Sequence, residues 1–105
     1  MGLTELETDY EFETGVGACD MALVLFFIQY DDGCKQAETL LENLPGLFPL
    51  IRFYKVDSAK LSDVAAKCNI SQFPTCCLFK NGVLSKSLTG VTNLDQTRDM
   101  VEANL

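Results

Sequence analysis

The longest unbroken apolar run in the chain is residues 21–28, MALVLFFI. A run of this length is too short for a core helix and is rich in strand-favouring residues. Successive side chains of a strand point to opposite faces, so a strand apolar at every position needs cover on both sides. That demand points to a sheet with a layer packed on each face, and the flanking sequence supplies helices. Ala37, Leu40, Leu41 and Leu44 fall at i, i+3, i+4 and i+7, one apolar stripe, with Pro45 and Gly46 to stop the helix. Residues 51–56 read as a second strand closed by Asp57. Leu61, Val64, Ala65 and Cys68 then repeat the helical stripe. Strand, helix and strand in this order form a βαβ unit, which is right-handed in nearly all folds. The expected class is α/β.

The second half changes pattern. Residues 75–80 read as another strand apolar on both sides. Asn81-Gly82 follows, the strongest short hairpin signal, because a type I′ turn needs positive φ at both positions. Residues 83–89 are the antiparallel partner, ended by Gly90. Asn93 with Gln96 makes a capping box for a last helix from Leu94 to about Leu105. The first 20 residues are the least legible. Acids alternate with Leu6, Thr8, Tyr10 and Phe12 as in a strand, while Phe12 and Val16 at i, i+4 suit a helix weakened by Gly15 and Gly17. A short first strand and then a frayed helix is the expectation.

At 105 residues the chain reads as one domain, 1–105, able to bury roughly 65% of its unfolded surface. It contains no histidine, which excludes every His-base mechanism and any zinc site with His ligands. The five cysteines, Cys19, Cys34, Cys68, Cys76 and Cys77, are odd in number with two adjacent, unlike a secreted disulfide framework. The net charge is −7, and eight acids precede the first base, Lys35. Such a face disfavours nucleic acid and anionic membranes, which need Lys and Arg. It suits a basic protein partner, although a merely solubilising surface is the plainer reading. No apolar run approaches the roughly 20 residues of a membrane span, and the acidic start is unlike a signal peptide. A cytoplasmic protein with reduced thiols and no cofactor is expected. Asn69-Ile70-Ser71 matches the glycosylation pattern, by chance in that setting.

Several landmarks occur in a familiar order. The first long strand runs into Tyr30-Asp31-Asp32-Gly33-Cys34-Lys35. A strand ends Lys55-Val56-Asp57, Asp63-Val64-Ala65 leads to Cys68, and Phe73-Pro74-Thr75 opens a strand. Phe79-Lys80-Asn81-Gly82 makes the hairpin and Thr89-Gly90 precedes the last helix. Over about residues 20–105 the chain resembles the thioredoxin family, particularly the small cytosolic thioredoxins of eukaryotes. The resemblance implies the thioredoxin fold, a central mixed sheet of four to five strands flanked by about four helices, with a cis Phe73–Pro74 peptide. It also exposes departures. The family's redox motif is Trp-Cys-Gly-Pro-Cys. Here Asp31 stands at the position of the attacking cysteine, Tyr30 at that of the tryptophan, and Cys34 at that of the resolving cysteine. Leu25 matches the family's buried aspartate and Thr39 the proline that kinks the helix.

One thiol cannot complete the attack-and-resolve cycle of a dithiol. A helix N-terminus and Lys35 favour the Cys34 thiolate, whereas Asp31 or Asp32 within a turn disfavours it. Cys34 is expected to be mostly thiol and slow. The structural reading of Asp31-Asp32 is a helix cap; the functional one is a carboxylate patch presented to a partner; a metal site is only weakly signalled, and none is expected. Cys68, Cys76 and Cys77 read as core, with Cys76 and Cys77 on opposite faces and a Cys76–Cys34 bond as a minor alternative. Cys19 is expected to be the most exposed and able to pair between molecules.

The favoured function is therefore a redox-degenerate thioredoxin-like protein, a monomer or weak dimer. It would bind or regulate a protein partner through the groove of Tyr30, Asp31, Asp32, Gly33, Phe73, Pro74 and Thr75. The alternative is a monothiol redox protein or thiol sensor acting through Cys34. A third reading is a dimer bridging a metal or iron–sulfur cluster through Cys34.

Overall fold

A computed structural model describes residues 2–105. Its five-stranded sheet contains β1 (Thr4–Glu5), β2 (Met21–Phe27), β3 (Arg52–Asp57), β4 (Thr75–Lys80) and β5 (Val83–Thr89), in the order β1-β3-β2-β4-β5. The β1 and β2 strands each pair parallel with β3, β4 pairs antiparallel with β2, and β5 pairs antiparallel with β4. Four helices cover it: α1 (Asp9–Gly17), α2 (Asp32–Leu41), α3 (Ser62–Lys67) and α4 (Leu94–Glu102).

The apolar run sorts by parity, as a doubly covered strand must. Ala22, Val24 and Phe26 enter one core with Phe12, Val16 and Val64, beneath α1 and α3. Leu23 and Leu25 enter the other with Ala37, Leu41 and Val101, beneath α2 and α4. Cys76 and Cys77 divide in the same way, Cys76 toward α2 and α4 and Cys77 toward α1 and α3.

Several boundaries differ from the sequence expectation. The α2 helix stops at Leu41, because Asn43 and Leu44 donate to Leu40 and Leu41 in a tightened turn. Leu44 is still buried, but Leu40 is only half-buried. Ile51 lies just before β3, and α4 ends at Glu102. The alternating acids of residues 9–13 lie in α1, not in a strand. Thr8 caps that helix by accepting from the Glu11 N–H at 3.0 Å, and Phe12 and Val16 provide its inner face. At the other end Asn93 accepts from the Gln96 N–H at 2.9 Å, half of the anticipated box.

Asn81 and Gly82 have φ of 53° and 80°, the positive pair a type I′ turn requires. The edge strand β5 carries a bulge at Ser85, since Leu78 faces Lys86 while Phe79 faces Leu84. A bulge beside a lysine blunts an open edge against pairing with another chain.

Burial sets a pH dependence. Cys77 is pushed up to about 12, mainly by burial, and Cys76 lies higher still for the same reason, against an ordinary value of 9.0. Above pH 9 the unfolded chain sheds thiol protons that the folded chain keeps. Stability is therefore full below that pH and falls as pH rises, by up to about 1.4 kcal/mol per pH unit for each such thiol. Urea melts on either side of pH 9 should show the decline on the alkaline side, and a Cys76→Ala/Cys77→Ala double variant should flatten it. An unchanged slope in that variant would contradict the assignment.

Candidate functional site

The site forms where β2 ends and α2 begins, at the carboxyl end of the parallel strands. Tyr30 turns the chain with φ of 63°, a conformation costly for a bulky residue, and the residue is 89% exposed. Asp31 is extended and caps α2, its carboxylate accepting from the Cys34 N–H at 2.8 Å. Asp is among the best residues there, because its charge meets the positive helix end. Asp32 is exposed in the first turn.

Cys34 is buried, 2% exposed. Burial pushes its thiol up, and the hydrogen bond and charge of Asp31 push the same way; a backbone hydrogen bond from Ile28 opposes them. Asp31→Asn keeps the cap and removes the charge. Alkylation of Cys34 at a fixed neutral pH should accelerate several-fold, and equal rates in the two proteins would show that Asp31 does not govern this thiol.

The Phe73–Pro74 peptide is cis. Gly33 brings the loop against that proline, since a Cβ on Gly33 would lie 3.7 Å from Pro74 Cδ and 3.2 Å from Asp31 Oδ2. Gly33 and Pro74 thus come close, with Pro74 itself buried and half-buried Phe73 beside it in sequence. Thr75 does not join them through its side chain. It is buried and clasps inward, its Oγ1 donating to the Gln72 carbonyl at 2.7 Å and lying 3.3 Å from Thr89 Oγ1. Tyr30 faces a different cavity, of about 260 Å³, lined by Phe27, Ile28, Gln29, Cys34, Lys35 and Glu38.

Glu38 was not singled out by sequence reasoning. It pairs with half-buried Lys55 of β3 at 2.6 Å, and that ammonium lies 5.8 Å from the Phe27 ring centre. Its i+4 spacing from Cys34 on one helix was the available signal. Asp57 is likewise buried, accepting from Gln29 Nε2 at 2.8 Å and from the Ala59 N–H at 3.0 Å. Leu25 lies in the α2/α4 core, 1% exposed, so no carboxylate stands beneath Cys34 from that position.

Two cysteines depart from expectation. Cys68, expected inside the core, is only half-buried and packs against the α1/α3 core from the end of the short helix α3. Cys19 is also half-buried, with its sulfur 3.6 Å from the Gly15 carbonyl oxygen and 3.7 Å from that of Val16. Among the described residues there is no cluster of three or more carboxylate, thiol or imidazole groups that could hold a metal ion. Nor is any helix among them long and apolar enough to cross a membrane.

A mixed sheet with two helices on each face, and a helix-capped loop set against a cis-proline, defines a thioredoxin-fold protein. Residues 4–103 match the family model described as Thioredoxin. Thioredoxin-1 of Saccharomyces cerevisiae is 34% identical over 80 residues, 76% of this chain and 78% of that protein. The solution structure of oxidised thioredoxin from Plasmodium falciparum superposes with a TM-score of 0.89 at 25% identity, covering 97% of each chain. Fasciola hepatica thioredoxin has the same fold, with a TM-score of 0.88 at 24% identity over 96% of this chain and 98% of that one. The chain belongs to the thioredoxin family.

Proposed function

We propose that this thioredoxin-family protein has left dithiol–disulfide exchange and binds a protein partner through the loop of Tyr30, Asp31, Asp32 and Gly33, which rests on the buried cis-proline Pro74. The observation carrying the reading is the Asp31 cap. A carboxylate bonded to the Cys34 N–H at 2.8 Å occupies the position where the family's attacking thiol belongs. A carboxylate cannot form the mixed disulfide that starts the exchange, and Cys34 is buried behind it with its thiol held in the neutral form. Tyr30 supports a binding role: a strained backbone projects an aromatic ring into solvent beside a rigid loop. The acidic residues before Lys35 favour a basic partner and fast association.

The relatives compared above are thioredoxins, so the ordinary reductase reaction is the natural control. Insulin-disulfide reduction with dithiothreitol should run at the uncatalysed rate, and turnover dependent on Cys34 would overturn the proposal. Partner capture should be insensitive to reductant. It should be lost in Tyr30→Gly, which suits the positive φ and so separates binding from folding. Capture that disappears with reductant, or persists in Tyr30→Gly, would count against the loop as the binding surface.

A second reading rests on the cavity that reaches Cys34. It is bounded by Lys35 and Glu38 and has room for a small thiol-reactive molecule. A monothiol sensor would use that route. It requires Cys34 to label faster than the protein's other thiols, with the difference abolished in Cys34→Ser.

A further inference from the structure

Outside the loop, Cys68 and Cys77 belong to one packed group. Cys77 is fully buried in the middle of β4 and faces the α1/α3 side. Cys68 follows α3 and packs on the same cluster, half-buried. Ser87 is the cross-strand partner of Cys77, so their side chains share a face of the sheet. Ser87 and Cys68 both line a cavity of about 320 Å³ between residues 69–72 and β5. The cavity thus reaches Cys68 directly and ends beside the neighbour of Cys77. Cys76 points to the opposite core.

We propose that Cys68 and Cys77 are a dithiol apart from the loop, closed into an intramolecular disulfide by a small organic disulfide that enters this cavity. The Cys68 thiolate attacks one sulfur of the reagent, forming a mixed disulfide and releasing one thiolate. Cys77 then gives up its proton, attacks the Cys68 sulfur and expels the second thiolate. Two protein S–H bonds and one reagent S–S bond are lost. One protein S–S bond and two reagent S–H bonds are gained. The protein is oxidised by two electrons, which reduce the reagent.

Burial raises both thiols, and the charge of Cys68 raises Cys77 further. The first step removes that charge and so eases the second. Closure is slow at neutral pH and faster at alkaline pH. Cys68 caps a six-residue helix and is the partner that moves. The bond would enclose residues 69–76, including Phe73 and Pro74.

The test incubates the native protein with oxidised glutathione at mildly alkaline pH, alkylates the remaining thiols and weighs the tryptic peptide 68–80. That peptide contains Cys68, Cys76 and Cys77, so the decisive sample is Cys76→Ser. Its peptide should lose two hydrogens and resist alkylation until reduced, and Cys34→Ser should leave this unchanged. Cys77→Ala, verified as folded by circular dichroism, should instead stop at a glutathione adduct on Cys68. Two alkylatable thiols surviving in the Cys76→Ser peptide, or closure persisting in Cys77→Ala, would overturn the proposal.

Discussion

Asp31→Cys is expected to create insulin-disulfide reductase activity in a chain for which, on the function proposed above, none is expected above background. The rate should fall about 100-fold below that of yeast Thioredoxin-1 in the same assay, the usual scale of a missing acid–base group. The new thiol would stand at the N-terminus of α2, where the helix dipole favours its thiolate by about 0.3–1 kcal/mol. Cys34, buried one turn on, is positioned to resolve the mixed disulfide. The deficit comes from Leu25, an apolar side chain 1% exposed, which offers no proton acceptor under the pair. The lost Asp31 cap should lower stability by about 1 kcal/mol. Activity equal to the yeast protein would show that Leu25 is immaterial. No activity, with both thiols alkylatable, would show that the loop does not hold them for exchange.

Phe26→Ala should be the most damaging single change to the fold, costing about 3–5 kcal/mol. Phe26 heads the largest fully buried side chains, in the strand that both cores share. Its ring lies 6.4 Å from that of Phe12, which lies 5.7 Å from Phe79, so truncation leaves a cavity between α1 and the sheet. A domain of this size has only about 5–15 kcal/mol to lose. Urea unfolding should give a lower midpoint with an unchanged slope, whereas Val83→Ala on the exposed edge should move it by less than about 0.5 kcal/mol. A small shift for Phe26→Ala would contradict the burial of β2 beneath α1 and α3.

Most of the strand and turn content was legible because its causes are local. Residues 75–80 carry apolar side chains at every central position, and Asn81-Gly82 can adopt the two positive φ values their turn needs. The Asp31 cap was legible for the same reason, since Asp before a helical stripe satisfies the free N–H of residue 34. The end of α2 was not. Leu44 continues the apolar stripe and is buried, yet it reaches the core from a turn, so burial alone did not distinguish helix from turn. Thr75 was assigned to the groove by its neighbour Pro74, but its hydroxyl is drawn to Gln72 and Thr89, the latter from a strand that follows the hairpin.

The apolar run of residues 21–28 was by itself enough to require a sheet buried on both faces, and the loop sequence was enough to leave Cys34 without an adjacent thiol. Those are properties of residue type and spacing, which act over a few positions. The tertiary structure alone decided that Gly33 meets Pro74, that Glu38 pairs with Lys55, and that Cys68 packs against the core that holds Cys77. Each joins segments separated in sequence, through the strand order β3-β2-β4 or the packing of a helix on it. Such meetings depend on how the whole sheet closes, and no short-range preference encodes them.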